Sequence, residues 1–203
     1  MIDDGVIKYD RSNFSHSGPL NKDSWGDLEQ WREKLYQLNL IGEYLPEKVG
    51  FGNLSKLLTR EKGIQFVITG TQTGKFKNLT GDHYSQVEGY DLEHMKLFSR
   101  GPLEPSSEAL THAAVYESVS TISAVFHIHS TKIWKEMIDN NYDATPEDVP
   151  YGTLEMATCV QELIAKKESG TIVMKGHQDG VIAYATTLDE CGKLILDLAK
   201  KFL

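Results

Sequence analysis

Apolar positions along this chain change period several times, and each change marks an element. Leu28, Trp31, Leu35 and Leu38 recur at spacings of three and four, with Asp23 or Ser24 ahead of them as N-cap. That period predicts an amphipathic helix with one apolar stripe facing the core. Two short apolar runs follow, at 54–59 and 64–69, and Arg60, Glu61, Lys62 and Gly63 between them fit a hairpin turn. Residues 84–99 alternate irregularly and predict one or two further strands, with His83 and His94 at the surface. Pro105, Ser106, Ser107 and Glu108 open a second helix in which Ala109, His112, Ala113, Tyr116 and Val119 share a side. The serines are natural N-caps, and Glu108 falls in the first turn, where the helix dipole favours a carboxylate.

The run 124–130 is apolar, β-branched and aromatic, and predicts a buried strand. A polar, acidic connection with Asn140, Asn141, Pro146 and Pro150 leads to a helix over about 153–167. Residues 171–185 predict two strands joined by a glycine-flanked turn that carries His177. Thr187, Leu188, Asp189 and Glu190 read as a capping box, and Leu188, Cys191, Leu194, Ile195 and Leu198 of the helix behind it face the core. The order of elements predicts an α/β layer fold with a largely antiparallel sheet and helices on its faces.

Residues 1–22 are polar, broken by Gly18 and Pro19, and predict an extended arm on the surface or on a neighbouring subunit; 23–203 read as a single domain. A chain of 203 residues can bury one substantial core. The formal net charge of −8 argues against a general affinity for nucleic acid or anionic membrane and favours small-molecule chemistry. The start has neither the basic region nor the apolar run of a signal peptide, and no segment has the length and apolarity of a membrane span, so a cytoplasmic location is expected. Cys159 and Cys191 fall inside predicted helices and read as reduced structural thiols. No internal repeat, nucleotide-binding glycine fingerprint or heptad is present.

The chemistry gathers around the strand. A period of two places His127 and His129 on one face and Phe126 and Ile128 on the other. Two imidazoles in one space either hold a metal or hydrogen-bond under a loop. The loop 69–74, Thr-Gly-Thr-Gln-Thr-Gly, is rich in hydroxyls and glycines; it can cradle an anion or simply connect two strands. The start of the second helix offers amide hydrogens and two serine hydroxyls, again an anion site, with Glu108 beside it.

Taken in order, these features resemble the class II aldolase and adducin family over about residues 24–203. Gly52-Asn53-Leu54-Ser55 resembles its Gly-Asn-x-Ser loop, and residues 68–74 its Ile-Thr-Pro-Ser/Thr-Gly loop. Ser106-Ser107-Glu108 is similar to its Ser-Ser-Glu, and His127-Ile128-His129 to its His-x-His. Gly176-His177 through Gly180, followed by residues 185–190, resembles its closing histidine, glycine and Thr-Leu-Glu-Glu signature.

The resemblance implies a three-layer fold, with a central, mostly antiparallel sheet and helices on both faces. It also implies zinc or another divalent ion held by His127, His129 and His177, with Glu108 as catalytic acid/base. Asn53, Ser106, Ser107 and the loop with Thr71, Thr73 and Gly74 would receive a phosphate; either Thr71 or Thr73 can take that role, since the loop is two residues longer than the family's usual form. The implied activity is aldol cleavage of a small phosphorylated hydroxy-ketone through a metal-stabilised enediolate. A dehydratase or epimerase of the same family, similar to methylthioribulose-phosphate dehydratase or ribulose-phosphate epimerase, and an adducin-like interaction module are the alternatives. The segment between His129 and Tyr151 is short for the loop where sugar-phosphate aldolases keep a tyrosine acid, and Tyr142 is the nearest candidate. The implied partner is a sugar phosphate, and the implied assembly a homotetramer, with no nucleic acid and no membrane.

Overall fold

A computed structural model describes residues 5–203. In chain order the elements are β1 (Phe14–His16), α1 (Lys22–Gln37), β2 (Gly42–Tyr44), β3 (Val49–Phe51), β4 (Asn53–Thr59), β5 (Gln65–Thr69), β6 (Tyr84–Asp91) and β7 (Lys96–Gly101). There follow α2 (Ala109–Ser118), β8 (Ala124–His129), α3 (Thr131–Asp139), β9 (Ala144–Thr145), α4 (Leu154–Ile164), β10 (Gly170–Met174), β11 (Gly180–Ala185) and α5 (Leu188–Phe202). Among the described residues nine strands form one sheet in the order β1-β7-β6-β5-β4-β8-β11-β10-β9, and β2 with β3 makes a separate hairpin. Within the large sheet the outermost pairings, β1 with β7 and β9 with β10, are parallel, and the other pairings among the described residues are antiparallel.

Helices cover both faces, giving the three-layer α/β arrangement expected. On one face α1, α3 and α5 pack Leu28, Leu35, Ile133, Ile195 and Leu198 onto Leu54, Phe126, Ile128 and Val181. On the other, α2 and α4 pack Leu110, Ala113, Met156 and Val160 onto Ile68, Val125, Ile172 and Ile182. Strand β8 lies mid-sheet between β4 and β11 and is buried along its whole length. Its odd-numbered residues therefore face the α2/α4 layer, which is where His127 and His129 point.

The register places the end of β8 against the starts of two neighbours, because both pairings are antiparallel. Asn53 lies opposite His127, and Gly180 opposite His129. Three strand ends thus meet at one point of the sheet, and loops from both sides close around it.

Several local expectations need correction. The N-cap of α1 is Asn21, whose side chain accepts from Asp23 N, rather than Asp23 or Ser24. Leu38 falls just past the helix and is exposed; the stripe buries Arg32 instead. The Arg32 guanidinium donates to the carbonyls of Thr73 (3.2 Å), Gly74 (3.3 Å), Phe76 and Lys77 (2.8 Å), so a buried cation holds the 73–77 loop in shape. Helix α2 is buried from Ala109 through Tyr116, not on one side only, since α4 covers its outer surface. Glu108 is the N-cap residue of α2, outside the first turn, and its side chain makes no cap hydrogen bond. Ser106 Oγ instead accepts from Glu108 N at 3.4 Å. In the closing helix Thr187 caps Glu190 N as expected, while the Glu190 carboxylate reaches Thr186 N and Oγ1 rather than Thr187 N.

Helix α3 was not predicted, although Ile133, Trp134, Met137 and Ile138 carry its apolar face; nine residues interrupted by five charges or polar groups give a short signal. The hairpin β2–β3 and the edge strands β1 and β9 were likewise missed. From Gly5 to Tyr9 the chain runs over the α2/α4 side: Tyr9 is buried with its hydroxyl donating to Pro105 O at 2.8 Å, and Phe14–His16 pairs with β7. Cys159 and Cys191 are both free thiols, in α4 and α5 on opposite layers.

Candidate metal centre and substrate cavity

His127, His129 and His177 converge at the end of β8. The first two arrive by strand alternation, and the third is carried by the turn between β10 and β11. Ring centroids are 4.8 Å apart for His127 and His129, 5.2 Å for His127 and His177, and 4.8 Å for His129 and His177. Nε2 of His177 lies 3.0 Å from Nε2 of His129. A side chain at position 180 has no room: a Cβ on Gly180 would sit 2.5 Å from His177 Cδ2 and 3.1 Å from His127 Nε2. Gly180 is required by the imidazole cluster itself.

Glu108 projects into the same space from the start of α2, with Oε2 at 3.6 Å from His127 Nδ1 and Oε1 at 3.7 Å from His177 Nε2. All four side chains are buried. Burial disfavours the charged imidazolium and lowers the pKa of each histidine: His127 falls to about 3, and His129 and His177 go well below the usual value, with repulsion from His177 and His127 adding to the desolvation of His129, and repulsion from His127 and Lys8 to that of His177. Three neutral imidazoles beside a carboxylate are donors in the protonation state that a cation needs.

Whether a divalent ion suits these residues is answered by their own geometry. One donor nitrogen from each histidine falls within 4.8 Å of the others. Nε2 of His127 is buried and has no hydrogen-bond partner among the described residues, an arrangement that costs free energy in a purely structural histidine. Its other nitrogen is 3.2 Å from the Asn53 side-chain amide. The residues fit such an ion.

Around the cluster two loops lie side by side. Thr71 N donates to Glu104 O at 2.9 Å and Ser106 N to Thr69 O at 3.2 Å, so 69–74 and 104–108 brace one another, while Gly70 N donates to His83 O at 2.7 Å. Together with Gly50, Phe51 and Gly52 they line a cavity that holds every residue expected at the site: Asn53, Thr71, Thr73, Gly74, Ser106, Ser107, Glu108, His127, His129 and His177. No described lining residue is lysine or arginine, leaving hydroxyls, the amide side chain and backbone N–H groups as anion donors.

Two details change the roles inside the loop. Thr73 is buried and its hydroxyl donates to Gly70 O at 2.8 Å, which closes the turn; Thr71 is the more exposed of the two. Gly74 is a glycine for packing, since a Cβ there would meet Gly42 O at 2.2 Å and Phe51 O at 2.8 Å. The left-handed residue of the loop is Gln72, at φ 57°, and its side chain accepts from Gly50 N at 2.7 Å.

The structure adds residues that the sequence did not single out. Tyr151 lines the cavity with its ring 4.5 Å from His177, and its hydroxyl accepts from Val6 N at 3.1 Å. Lys8 donates to Tyr151 O at 3.0 Å and stands over the ring at 3.9 Å, so the chain's early residues lie across the mouth beside Gly5. Tyr44 places its hydroxyl 2.9 Å from His129 Nδ1. Tyr142 is elsewhere, against Phe202 and Lys201, and the two surface histidines serve local turns: His83 accepts from Thr80 N, and His94 pairs with Asp91. Tyr44 and Tyr151 carry no sequence signal because neither belongs to a spaced motif.

The profile of the class II aldolase and adducin N-terminal domain matches residues 41–201. Among solved structures, YgbL from Escherichia coli, named as a candidate aldolase/epimerase/decarboxylase, aligns at 20% identity and TM-score 0.65 over 88% of this chain and 86% of its own. A sugar-phosphate aldolase from Thermotoga maritima aligns at 13% identity and TM-score 0.66, over 88% and 91%. An L-fuculose-1-phosphate aldolase from Thermus thermophilus aligns at 20% identity and TM-score 0.61, over 89% and 91%. At these identities the structural likeness carries the fold.

Proposed function

We propose that this chain, which belongs to the class II aldolase and adducin family, is a metal-dependent lyase of the aldolase type acting on a small, phosphorylated hydroxy-ketone. The observation that carries the reading is the meeting of three neutral, buried imidazoles with the Glu108 carboxylate on the floor of a cavity walled by hydroxyls and amides. His127, His129 and His177 would hold the ion, zinc or another divalent metal, and leave a coordination position open. When bound, the ion supplies Lewis acidity toward a carbonyl and its neighbouring hydroxyl.

The chain's own residues do the rest. Glu108 is buried next to the cluster, within reach of a substrate seated there, and is the group that takes the hydroxyl proton as the carbon–carbon bond breaks and returns a proton to carbon. Ser106, Ser107, Asn53 and the Thr71 end of the 69–74 loop receive the phosphate by hydrogen bonds, with the start of α2 contributing its dipole. The same buried base would also serve a dehydratase, taking a proton from carbon as water leaves, or an epimerase, which releases nothing, so the product formed decides the reaction class. An adducin-like, non-catalytic role would not call for four buried polar side chains directed at one point. The reading includes a homotetramer and a cytoplasmic location; among the described residues no helix is long and apolar enough to cross a membrane.

Elemental analysis of the purified protein tests the centre: about one divalent ion per chain is expected, falling to background in the His127→Ala/His129→Ala double variant. A screen of phosphorylated and unphosphorylated keto-sugars, scoring aldehyde release and water loss separately, tests the reaction. Glu108→Gln should lose roughly 10²- to 10⁴-fold in kcat on whichever substrate turns over. Full turnover by that variant would remove Glu108 from the mechanism.

A further inference from the structure

The β2–β3 hairpin and the turn ahead of β11 come from distant parts of the chain, yet the hairpin reaches the outer nitrogen of His129 and the turn reaches the hydroxyl that does so. Tyr44 Oη lies 2.9 Å from His129 Nδ1 and 3.4 Å from Asp179 Oδ2. We propose that Asp179 and Tyr44 form a relay that sets the tautomer and orientation of His129 for metal binding, which makes both of them positioning residues. The inference rests on the metal-site reading above and adds residues to it.

The polarity of the relay follows from what each group can do. Asp179 Oδ2 can only accept while His129 Nδ1 can also donate, so the arrangement that satisfies both contacts, and leaves the buried carboxylate with a donor, puts the Tyr44 proton on Asp179. The phenol oxygen that faces His129 Nδ1 is then an acceptor, and Nδ1 must carry the hydrogen. Nε2 keeps its lone pair, and it is Nε2 that faces the other imidazoles, 3.0 Å from Nε2 of His177. Reversed, the relay would place a hydrogen on Nε2 in the middle of the cluster and block a cation. Outer partners of this kind set both ring direction and donor strength at histidine–metal sites.

The surroundings argue that the relay is built rather than incidental. Asp179 is only 7% exposed, and its Oδ1 is buried with no hydrogen-bond partner among the described residues, so keeping an acid there costs desolvation that the fold alone does not require. Its backbone takes φ 68°, uncommon away from glycine, and is pinned by Ser130 N donating to Asp179 O at 2.9 Å, directly after the strand that carries His129. Tyr44 is held by its ring, which packs 4.6 Å from Phe51, and Phe51 in turn stacks on His129 at 5.4 Å. Gly42 makes room for that ring, since a Cβ there would come 2.9 Å from Phe51 Cζ. The hairpin is shaped around the imidazole it serves.

Tyr44→Phe and Asp179→Asn separate a positioning role from a structural one. Asparagine tolerates positive φ as well as aspartate does, so Asp179→Asn keeps the turn while removing the obligate acceptor. Zinc affinity is measured by competition with a chromophoric chelator at constant pH, and the Tm of each metal-free form alongside. The relay predicts that both variants bind zinc about 10- to 100-fold more weakly than the unaltered chain, with metal-free Tm values within a few degrees of it. Imidazole ¹⁵N shifts of the metal-free protein should report the Nδ1–H tautomer for His129 and lose that preference in both variants. Affinities within twofold of the unaltered chain, or a loss in Tyr44→Phe that Asp179→Asn does not share, would overturn the relay. If the unaltered chain itself takes up no zinc, the metal-site reading fails first, and that outcome is distinguishable from failure of the relay alone.

Discussion

At the scale of single residues, the site is a place where burial does most of the chemical preparation. His112, one helical turn beyond Glu108, is as enclosed as the three cluster histidines; its Nδ1 is 2.7 Å from Ser55 Oγ, which also meets the Tyr116 hydroxyl at 2.7 Å. Desolvation lowers the pKa of all four, with His127 falling to about 3. The sign of the consequence is definite. In the unfolded chain these imidazoles bind protons near pH 6.5, while in the folded chain they stay neutral down to much lower pH, so the unfolded state holds more protons throughout that interval. The stability they contribute is fully present above about pH 6.5 and is lost as pH falls toward the folded value, at up to about 1.4 kcal/mol per pH unit for each histidine. Urea melts of the metal-free protein at pH 8.5, 7.5 and 5 should show a nearly flat midpoint between the first two and a marked drop at the third. A midpoint unchanged at pH 5 would mean that the four rings are not kept neutral by the fold.

At the scale of elements, the decisive contribution is register. Antiparallel pairing brings the end of β8 beside the starts of β4 and β11, and with them Asn53 and Gly180. Gly180→Ala is accordingly the substitution that probes the centre from its scaffold, because the added methyl meets two of the three imidazoles. Overpacking of this kind costs about 1–3 kcal/mol, but the more telling effect is on binding. The unaltered protein should gain thermal stability when zinc is added, since a ligand that binds only the folded form raises Tm. Gly180→Ala should fold with a lower Tm and lose most of that gain. An equal zinc-dependent shift in both proteins would show that the rings tolerate the methyl by moving together. The 73–77 loop illustrates the same dependence on a distant element, being hung from the buried Arg32 of α1 by four carbonyls.

At the scale of the whole molecule, the sheet ends in short strands, three residues in β1 and two in β9, which leave little free edge for strand addition. Assembly by other surfaces is part of the proposed function, and light scattering should return four times the 22.8 kDa chain. A mass of one chain would contradict the proposed tetramer. Residues 6–16 meanwhile lie on their own chain, where Val6 and Lys8 bond Tyr151 beside the cavity and Phe14–His16 extends the sheet.

How much of this was legible in the sequence differs by feature. Long periodic elements were plain: α1, α4, α5 and the strands β4, β5, β8, β10 and β11 follow from spacing alone. Helix α3, the β2–β3 hairpin and the two edge strands were not, because elements of two to nine residues carry too few apolar positions to define a period. The resemblance of the motifs, in their order, to the class II aldolase and adducin family was what gathered Asn53, the 69–74 loop, Ser106, Ser107, Glu108 and the three histidines into one hypothesis, and these residues line one cavity. What sequence by itself determined is which side chains alternate onto one face, since that depends only on the two-residue repeat of an extended backbone. Tertiary structure alone decided that Tyr44, Asp179 and Tyr151 join them, that Thr73 is spent on its own turn, and that Glu108 looks inward rather than capping its helix. Those outcomes depend on contacts between residues up to 145 positions apart, and no local pattern encodes a partner at that distance.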